Sequence, residues 1–245
     1  MVDITEIKNG VFKLTEYLPE NAISVSSFLI TGKAPALVET GTPYLADGFL
    51  RAIADMVAPE TISNIFVTHE HLDHFGGLPE YVAEAYNANV VIHNFLKVQV
   101  GFWGVVKGII SVSGGETIPI GDRKMEVIYV PVETTGTVIY LLKPEGILFT
   151  GDYFGQLGEG AFASKDEPTI EKLVRDIVSL HEGLGLDGDN IRRYLSPVRK
   201  KGFDIIAPSH GCLITEDVDE VFNKVINAKL DYREGINALR RIIGR

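Results

Sequence analysis

Hydrophobic and polar residues alternate along the N-terminal part of the chain, a pattern typical of half-buried β-strands. The segments GVFKLTEYL and SVSSFLITG carry this alternation on either side of a turn that contains Pro and Asn. We therefore predict an N-terminal hairpin, which the segment APALVETG continues as a third strand.

Beyond this hairpin the spacing of apolar residues changes between helical and strand-like. The segment ADGFLRAIADMV has helical spacing, NIFVT is a short β-branched run, and LPEYVAEAY resumes as a helix with Pro79 in its first turn. The later strands are predicted at ANVVIHN, RKMEVIYV, TVIYLL, GILFTGD and FDIIAPSHG, with turns at 121–122 and 143–146. Helices are predicted over 168–182 and 189–200, and most of 216–243 is predicted as an amphipathic helix.

The order of these elements is β-rich, then α, then β-rich, then α, which suits two sheets packed between helices. We expect an α/β (α+β) protein with a single domain over residues 1–245, in which 216–245 form a C-terminal helical segment. With 245 residues, of which 45% are hydrophobic, the chain is long enough to bury a full core.

Composition narrows the function classes. The chain has no uncharged apolar run long enough to span a membrane and no signal-peptide pattern at its start, so we expect a cytoplasmic protein. The net charge of −10 argues against nucleic acid or an anionic membrane as a partner. With Cys212 as its single cysteine, the chain can form neither an internal disulfide nor a thiolate zinc cluster, so any metal must be held by imidazole and carboxylate groups.

Half of the six histidines lie in the segment THEHLDHFGG, residues 68–77. This segment follows a predicted strand and precedes a predicted helix, so it is predicted as a loop that can direct neighbouring side chains toward different metal ions. His69 and His71 could converge on one ion while Asp73 and His74 turn toward a second. A solvated polar turn is the competing interpretation, and the density of potential ligands argues against it.

Two later stretches supply further candidate ligands at the ends of predicted strands. Asp152 ends the apolar run ILFTGD, and His210 follows the run IIAPS. The two oxygens of one carboxylate, such as that of Asp152, can bridge two ions and hold them about 3.5 to 4 Å apart.

The motifs THEHLDHFGG, LFTGDYF and APSHG resemble, in the same order, the signature motifs of the metallo-β-lactamase superfamily. This resemblance spans nearly the whole chain and implies a four-layer αββα sandwich with a one- or two-metal site at the edge of its two sheets. One position departs from the family pattern. Where members usually carry a histidine in a stretch resembling PGHTPGS, this chain has VPVETTGTVIY, which places Glu133 at the histidine position.

Glu133 lies 19 residues before Asp152, a separation that resembles the flavodiiron branch of the superfamily. The resemblance then implies two sets of metal ligands that share one carboxylate. The first set is His69, His71, Glu133 and Asp152, and the second is Asp73, His74, Asp152 and His210. A solvent-facing glutamate in a loop is the competing interpretation for Glu133.

A third carboxylate changes the expected metal. Three carboxylates and a hydroxide would neutralise two zinc(II) ions and make them poorer Lewis acids, whereas two iron(III) ions would keep a positive charge even with a bound peroxide. The ligand set therefore favours two iron ions, with zinc or manganese as possible substitutes.

Three functions are open at this point. The first is a hydrolase in which a metal-bound hydroxide attacks an ester, thioester or phosphate and Asp73 orients the water. The second is a dioxygen or nitric oxide reductase similar to the flavodiiron proteins, which carry a flavodoxin-like FMN domain after the metal domain. The chain ends at Arg245 without such a segment, so electrons are expected from another protein.

The third function, which we favour, is a diiron protein that binds dioxygen as a peroxide-type adduct and acts as an oxygen or iron sensor. The chain most resembles a flavin-less branch of the flavodiiron relatives, which are oxygen-binding proteins associated with bacterial chemotaxis. That resemblance implies a chemotaxis histidine kinase or a cytoplasmic receptor as signalling partner, and it implies a homodimer.

Other polar and aromatic residues are weaker candidates. Glu39 is either a support for the histidine loop or part of an ordinary strand-end turn, and Glu70 is expected to face away from His69 and His71. The remaining residues are expected to serve packing or the surface rather than metal binding: His93, His181, Tyr153, Phe154, Phe102 and Trp103.

Overall fold

The computed structural model describes residues 2–97, 108–158 and 169–233, together with 235, 237 and 240. Its strands form two sheets. The strands of the first sheet are β1 (Asp3–Lys8), β2 (Val11–Leu18), β3 (Ile23–Ile30), β4 (Ala36–Val38), β5 (Asn64–Phe66), β6 (Asn89–His93) and β7 (Gly108–Val112). The strands of the second sheet are β8 (Thr117–Ile120), β9 (Arg123–Tyr129), β10 (Val138–Lys143), β11 (Ile147–Phe149) and β12 (Ile205–Ala207).

The first sheet is antiparallel from β1 to β4 and parallel from β4 to β7, in chain order. The second sheet has the order β12-β11-β10-β9-β8, and only β11 and β12 pair in parallel. The helices are α1 (Pro43–Ala54), α2 (Leu72–Phe75), α3 (Leu78–Glu84), α4 (Ile170–Gly183), α5 (Gly188–Leu195) and α6 (Val218–Ile226).

Three hydrophobic layers hold the sheets and helices together. The central layer lies between the sheets and includes Phe28 and Phe66 from the first sheet and Tyr140 and Phe149 from the second. The outer face of the first sheet packs on α1 and α3. The outer face of the second sheet packs on α4, α5 and α6. The layers therefore follow the order αββα, which confirms the predicted fold class.

The structure confirms the predicted strands of the N-terminal hairpin and adds strands that the hydrophobic pattern did not predict. Strand β1 is mostly exposed, so its sequence lacks the apolar face that indicates a half-buried strand. Strands β7 and β8 lie at or near sheet edges and are only partly buried, which weakens the same signal.

The structure adds detail to two predicted segments. In the segment 216–243, α6 ends at Ile226, residues 228–231 are not helical, and residues 232 and 233 are helical again. The backbone N–H of Asp231 instead donates to Glu182 of α4 (2.6 Å), so a tertiary contact replaces continuation of the helix. The predicted loop after β5 contains the one-turn helix α2, which carries Asp73 and His74.

Candidate metal centre

All seven candidate ligands lie in segments that follow strands. His69 and His71 follow β5, Asp73 and His74 lie on α2, Glu133 lies between β9 and β10, and Asp152 and His210 follow β11 and β12. These segments lie at one edge of the two sheets, so residues far apart in sequence meet there.

The first group of ligands surrounds the carboxylate of Glu133. Glu133 Oε1 lies 3.4 Å from His69 Nε2 and 3.1 Å from His71 Nδ1, and these two nitrogens are 3.0 Å apart. One ligand atom from each of these three residues and one from Asp152 lie within 4.8 Å of one another. Four donors at this spacing can surround one metal ion.

The second group surrounds the other side of Asp152. Asp152 Oδ1 lies 2.9 Å from His74 Nε2 and 3.1 Å from His210 Nε2. Asp73 Oδ2 lies 3.3 Å from His210 Nε2. Asp152 therefore stands between the two groups, where its carboxylate can bridge a pair of ions.

The chemistry of these donors fits a pair of cations. Within the described part of the chain, several buried side-chain atoms of the two groups lie close to one another but form no hydrogen bond of regular geometry, namely His74 Nδ1 and Nε2, Glu133 Oε1 and Oε2, Asp152 Oδ1 and His210 Nε2. A buried polar atom without a partner is costly, and coordination to a metal ion satisfies it. The imidazole and carboxylate ligands suit iron, zinc or manganese.

The electrostatic environment favours positive charge. Burial lowers the pKa of His210, but the neighbouring carboxylates of Asp152 and Asp73 outweigh it and raise this pKa to about 10. Burial likewise raises the pKa of Asp152, but His74 and His210 outweigh it and hold this pKa well below its usual range. A group of side chains that favours protonated imidazole and ionised carboxylate also favours a metal cation.

The site opens to solvent on one side. The side chains of His71 and Asp73 are 47% and 31% exposed, whereas those of His69, His74 and His210 are at most 1% exposed. A small molecule arriving from solvent therefore meets His71 and Asp73 first.

A buried glutamate supports the histidine segment. Glu39 accepts hydrogen bonds from the hydroxyl and backbone N–H of Thr68, at 2.5 and 3.4 Å, and its Oε1 lies 3.3 Å from His74 Nδ1. Of the two interpretations of Glu39, the structure supports the one in which it contacts the histidine segment. A carboxylate behind a ligating histidine orients the ring and raises its basicity.

His210 is held by residues that the sequence did not identify. Its Nδ1 donates to the backbone oxygen of Ser24 (2.7 Å), and the Ser24 hydroxyl accepts from the N–H of Gly211 (2.7 Å). The buried ammonium of Lys13 donates to the Gly211 oxygen. Ser24 and Lys13 lie on the N-terminal hairpin, and no local motif marks them.

The remaining polar candidates lie outside both groups, as expected. Glu70 turns away from its neighbouring histidines and accepts a hydrogen bond from the hydroxyl of Thr134 (2.7 Å). The ring of His93 stacks on Tyr129, with centroids 4.8 Å apart. His181 is buried on α4 and contacts the backbone oxygen of Tyr153. Phe102 and Trp103 lie outside the described residues.

Known proteins resemble this chain in sequence and in structure. An uncharacterized protein of Methanocaldococcus jannaschii is 25% identical and covers 90% of this chain and 59% of its own length. Hydroxyacylglutathione hydrolase of Maricaulis maris is 36% identical over 101 residues, which are 41% of this chain and 37% of the hydrolase. The crystal structure of the flavodiiron protein from Giardia intestinalis superposes with a TM-score of 0.81 at 19% identity, covering 97% of this chain and 60% of that chain.

This chain thus spans about three fifths of the Methanocaldococcus protein and of the Giardia structure. The likeness to the Giardia structure, at 19% identity, shows a shared fold. The family model of the metallo-β-lactamase superfamily matches residues 21–210, which include all seven candidate ligands. With this match, the αββα fold and the ligands gathered at the edge of its sheets, the chain belongs to the metallo-β-lactamase superfamily.

Proposed function

We propose that this protein is a non-haem diiron protein that binds dioxygen and acts as a sensor of oxygen or iron. One observation carries the choice of iron. The carboxylate of Glu133, only 3% exposed, faces His69 and His71 and becomes the third carboxylate of the centre, with Asp73 and Asp152.

The third negative charge makes this centre less suited to hydrolysis than a centre with two carboxylates. It reduces the Lewis acidity of a divalent pair and favours ions that reach a higher charge. The general affinity order favours zinc(II) over iron(II), so the preference for iron has to come from the ligand set.

In the metal-loaded centre, different residues would hold each of the two ions. His69, His71 and Glu133 would hold one ion, Asp73, His74 and His210 the other, and Asp152 would lie between them. Two iron(II) ions in this position would supply one electron each to a bound dioxygen. Glu39 would keep the His74 ring oriented, and the exposed side of His71 and Asp73 would admit the gas.

The sensing role, the dimer and the partner extend this proposal by resemblance to the flavin-less flavodiiron relatives. The protein would pair as a homodimer in the cytoplasm and signal to a cytoplasmic receptor and its histidine kinase. Sedimentation at micromolar concentration tests the dimer, and a monomer would contradict it.

Metal selectivity is the first test. Metal-free protein is dialysed anaerobically against equal concentrations of iron(II) and zinc(II), and the bound metals are quantified. We expect iron to compete effectively in the wild type and zinc to dominate in Glu133→His, since that variant restores an imidazole. Equal zinc dominance in both proteins would contradict the proposal.

Reaction with air is the second test. We expect an absorption band in the visible region when the iron-loaded protein meets air, and we expect it to persist without rapid oxygen consumption. Rapid oxygen consumption in the presence of a flavoprotein reductant would instead indicate a reductase.

A hydrolase is the second candidate function, and the local similarity to hydroxyacylglutathione hydrolase favours it. Fast cleavage of a hydroxyacylglutathione thioester by zinc-loaded wild-type protein would support it. In that case Asp73, at the open side of the site, would orient the attacking water.

A further inference from the structure

Glu133 lies on a turn, residues 130–137, and the hydroxyl of Tyr153 binds the backbone at the start of this turn. The hydroxyl of Tyr153 donates to the backbone oxygen of Val130 (2.5 Å). It accepts hydrogen bonds from the N–H groups of Val132 (3.3 Å) and Glu133 (3.1 Å). Three polar backbone groups of the turn therefore contact one side chain, and the N–H of Val132 also donates to the oxygen of Val130 (2.9 Å).

Tyr153 is itself held in place, by the packing of its ring and by a hydrogen bond to its backbone oxygen. It is fully buried in the core that packs the second sheet against its helices, and it directly follows Asp152 in sequence. Its backbone oxygen accepts a hydrogen bond from Nε2 of His181 (2.6 Å). Burial lowers the pKa of His181 to about 4, so this ring is neutral and its Nε2 carries the donated proton.

The other side-chain contacts of the turn do not reach the Glu133 backbone. The hydroxyl of Tyr129 donates to the backbone oxygen of Thr135 (3.0 Å). The hydroxyl of Thr134 donates to Glu70 Oε2 (2.7 Å), and the N–H of Thr134 donates to the hydroxyl of Thr137 (3.1 Å). Among the described residues, Tyr153 is the side chain that binds the backbone N–H of Glu133.

We propose that Tyr153 is a positioning residue that holds Glu133 against His69 and His71 before a metal ion enters. The proposal rests on the metal centre proposed above. The Glu133 carboxylate lies 3.1 Å from the half-exposed ring of His71, and the neighbouring carboxylate of Asp152 repels it, so fixing its backbone adds to what its side-chain contacts supply. Fixing the backbone of the turn keeps the carboxylate at the site and removes the need to order it on binding.

Zinc binding tests the proposal without iron or oxygen. Zinc affinity is measured against a competing chelator. The His210→Ala variant weakens the second site, so that zinc binding reports on the site with Glu133. The His69→Ala variant weakens the site with Glu133, so that zinc binding reports on the second site. We expect Tyr153→Phe to weaken zinc at the Glu133 site by about 10- to 100-fold and to leave the other site unchanged.

Two comparisons distinguish positioning from a general loss of packing. Tyr140→Phe is the matched control, because Tyr140 is also fully buried and its hydroxyl donates to a backbone oxygen, that of Val67 (2.7 Å). We expect it to keep both affinities. We also expect Tyr153→Phe to cause no further loss in a Glu133→Gln background, since a positioning residue acts through the group it positions.

Equal weakening of both sites, unchanged affinity, or full additivity with Glu133→Gln would overturn the proposal. Amide hydrogen exchange in metal-free wild-type protein provides evidence even where Tyr153→Phe does not fold. We expect slow exchange at the N–H groups of Val132 and Glu133, and fast exchange there would overturn preorganisation.

The outcomes separate this proposal from the proposed function. Wild-type protein that binds two zinc ions but shows no preference for iron and no reaction with air would contradict the diiron function and leave the role of Tyr153 intact. Wild-type protein that binds neither zinc nor iron(II) would overturn both.

Discussion

Glu39 and Glu145 are both buried carboxylates, but they differ in what they contact. Glu39 lies behind His74, whereas Glu145 pairs with Arg123 (2.9 Å) away from the centre. The first position is suited to tuning a ligand and the second to stabilising the fold.

We expect Glu39→Gln to weaken metal binding by about 10- to 100-fold, because the amide keeps the shape of the side chain but loses the charge that orients and activates the His74 ring. Zinc affinity against a chelator measures this effect. Glu145→Gln is the control and should lower thermal stability without changing zinc affinity. Equal zinc affinity for Glu39→Gln and the wild type would contradict the role of Glu39.

Lys13 gives the protein a pH-dependent stability. Burial lowers the pKa of Lys13 to about 8, below its ordinary value of 10.5. Between these values the unfolded chain binds more protons than the folded chain, so the contribution of Lys13 to the free energy of unfolding rises with pH.

We expect this rise to amount to roughly 3 kcal/mol between pH 8 and pH 10.5 and to be absent from Lys13→Met. Urea unfolding across this range measures it, with Cys212→Ser as the background for both proteins so that the nearby thiol does not titrate. Parallel pH profiles for the two proteins would show that Lys13 is protonated to the same extent in the folded and unfolded states.

At the scale of elements, the segments after the strands place the ligands, and their backbone geometry matters as much as their side chains. Gly151 directly precedes Asp152 and has a φ of +56°. A Cβ atom at this position would lie 3.0 Å from Thr68 Oγ1, in the segment that carries His69. Glycine therefore allows the Asp152 and His69 segments to approach each other.

We expect Gly151→Ala to lower the free energy of unfolding by more than the strain of the left-handed conformation, which is about 1 to 2 kcal/mol, and to weaken metal binding. Gly185→Ala separates the two contributions, because Gly185 has a φ of +68° and no atom would lie within 4 Å of an added Cβ. Chemical denaturation and zinc titration compare the variants. Similar losses of stability with unchanged zinc affinity would show that the approach of the segments is not limiting.

At the scale of the whole molecule, the centre joins the two sheets. His69, His71, Asp73 and His74 follow β5 in the first sheet, and Glu133, Asp152 and His210 follow strands of the second. Metal ions bound by both halves would therefore stabilise the association of the sheets.

In the described part of the chain, no helix is both long and apolar enough to cross a lipid bilayer.

We expect saturating zinc to raise the melting temperature relative to chelator-treated protein. One ion at 100 times its dissociation constant contributes about 2.7 kcal/mol, which corresponds to about 5 to 10 °C for a domain of this size. His69→Ala and His210→Ala should each lose part of this shift, and the double variant should lose nearly all of it. An unchanged shift in the double variant would place the bound zinc elsewhere.

The histidine segment, Asp152 and His210 were predictable from sequence, because each follows a hydrophobic strand and carries a recognisable local pattern. The αββα order was predictable for the same reason, since alternation and helical spacing are local properties of the chain. The ligand roles of all seven residues, the iron, the gas and the partner stay predictions.

Only the tertiary structure identified the residues that hold the ligand segments in place. Ser24 contacts His210 across 186 residues of sequence, and Lys13 contacts Gly211 across 198. Tyr153 was expected to pack, and its ring does, but its hydroxyl also holds the backbone beside Glu133. The sequence determined which side chains can bind metal because their chemistry is local, and the fold decided what orients them because those contacts join segments distant along the chain.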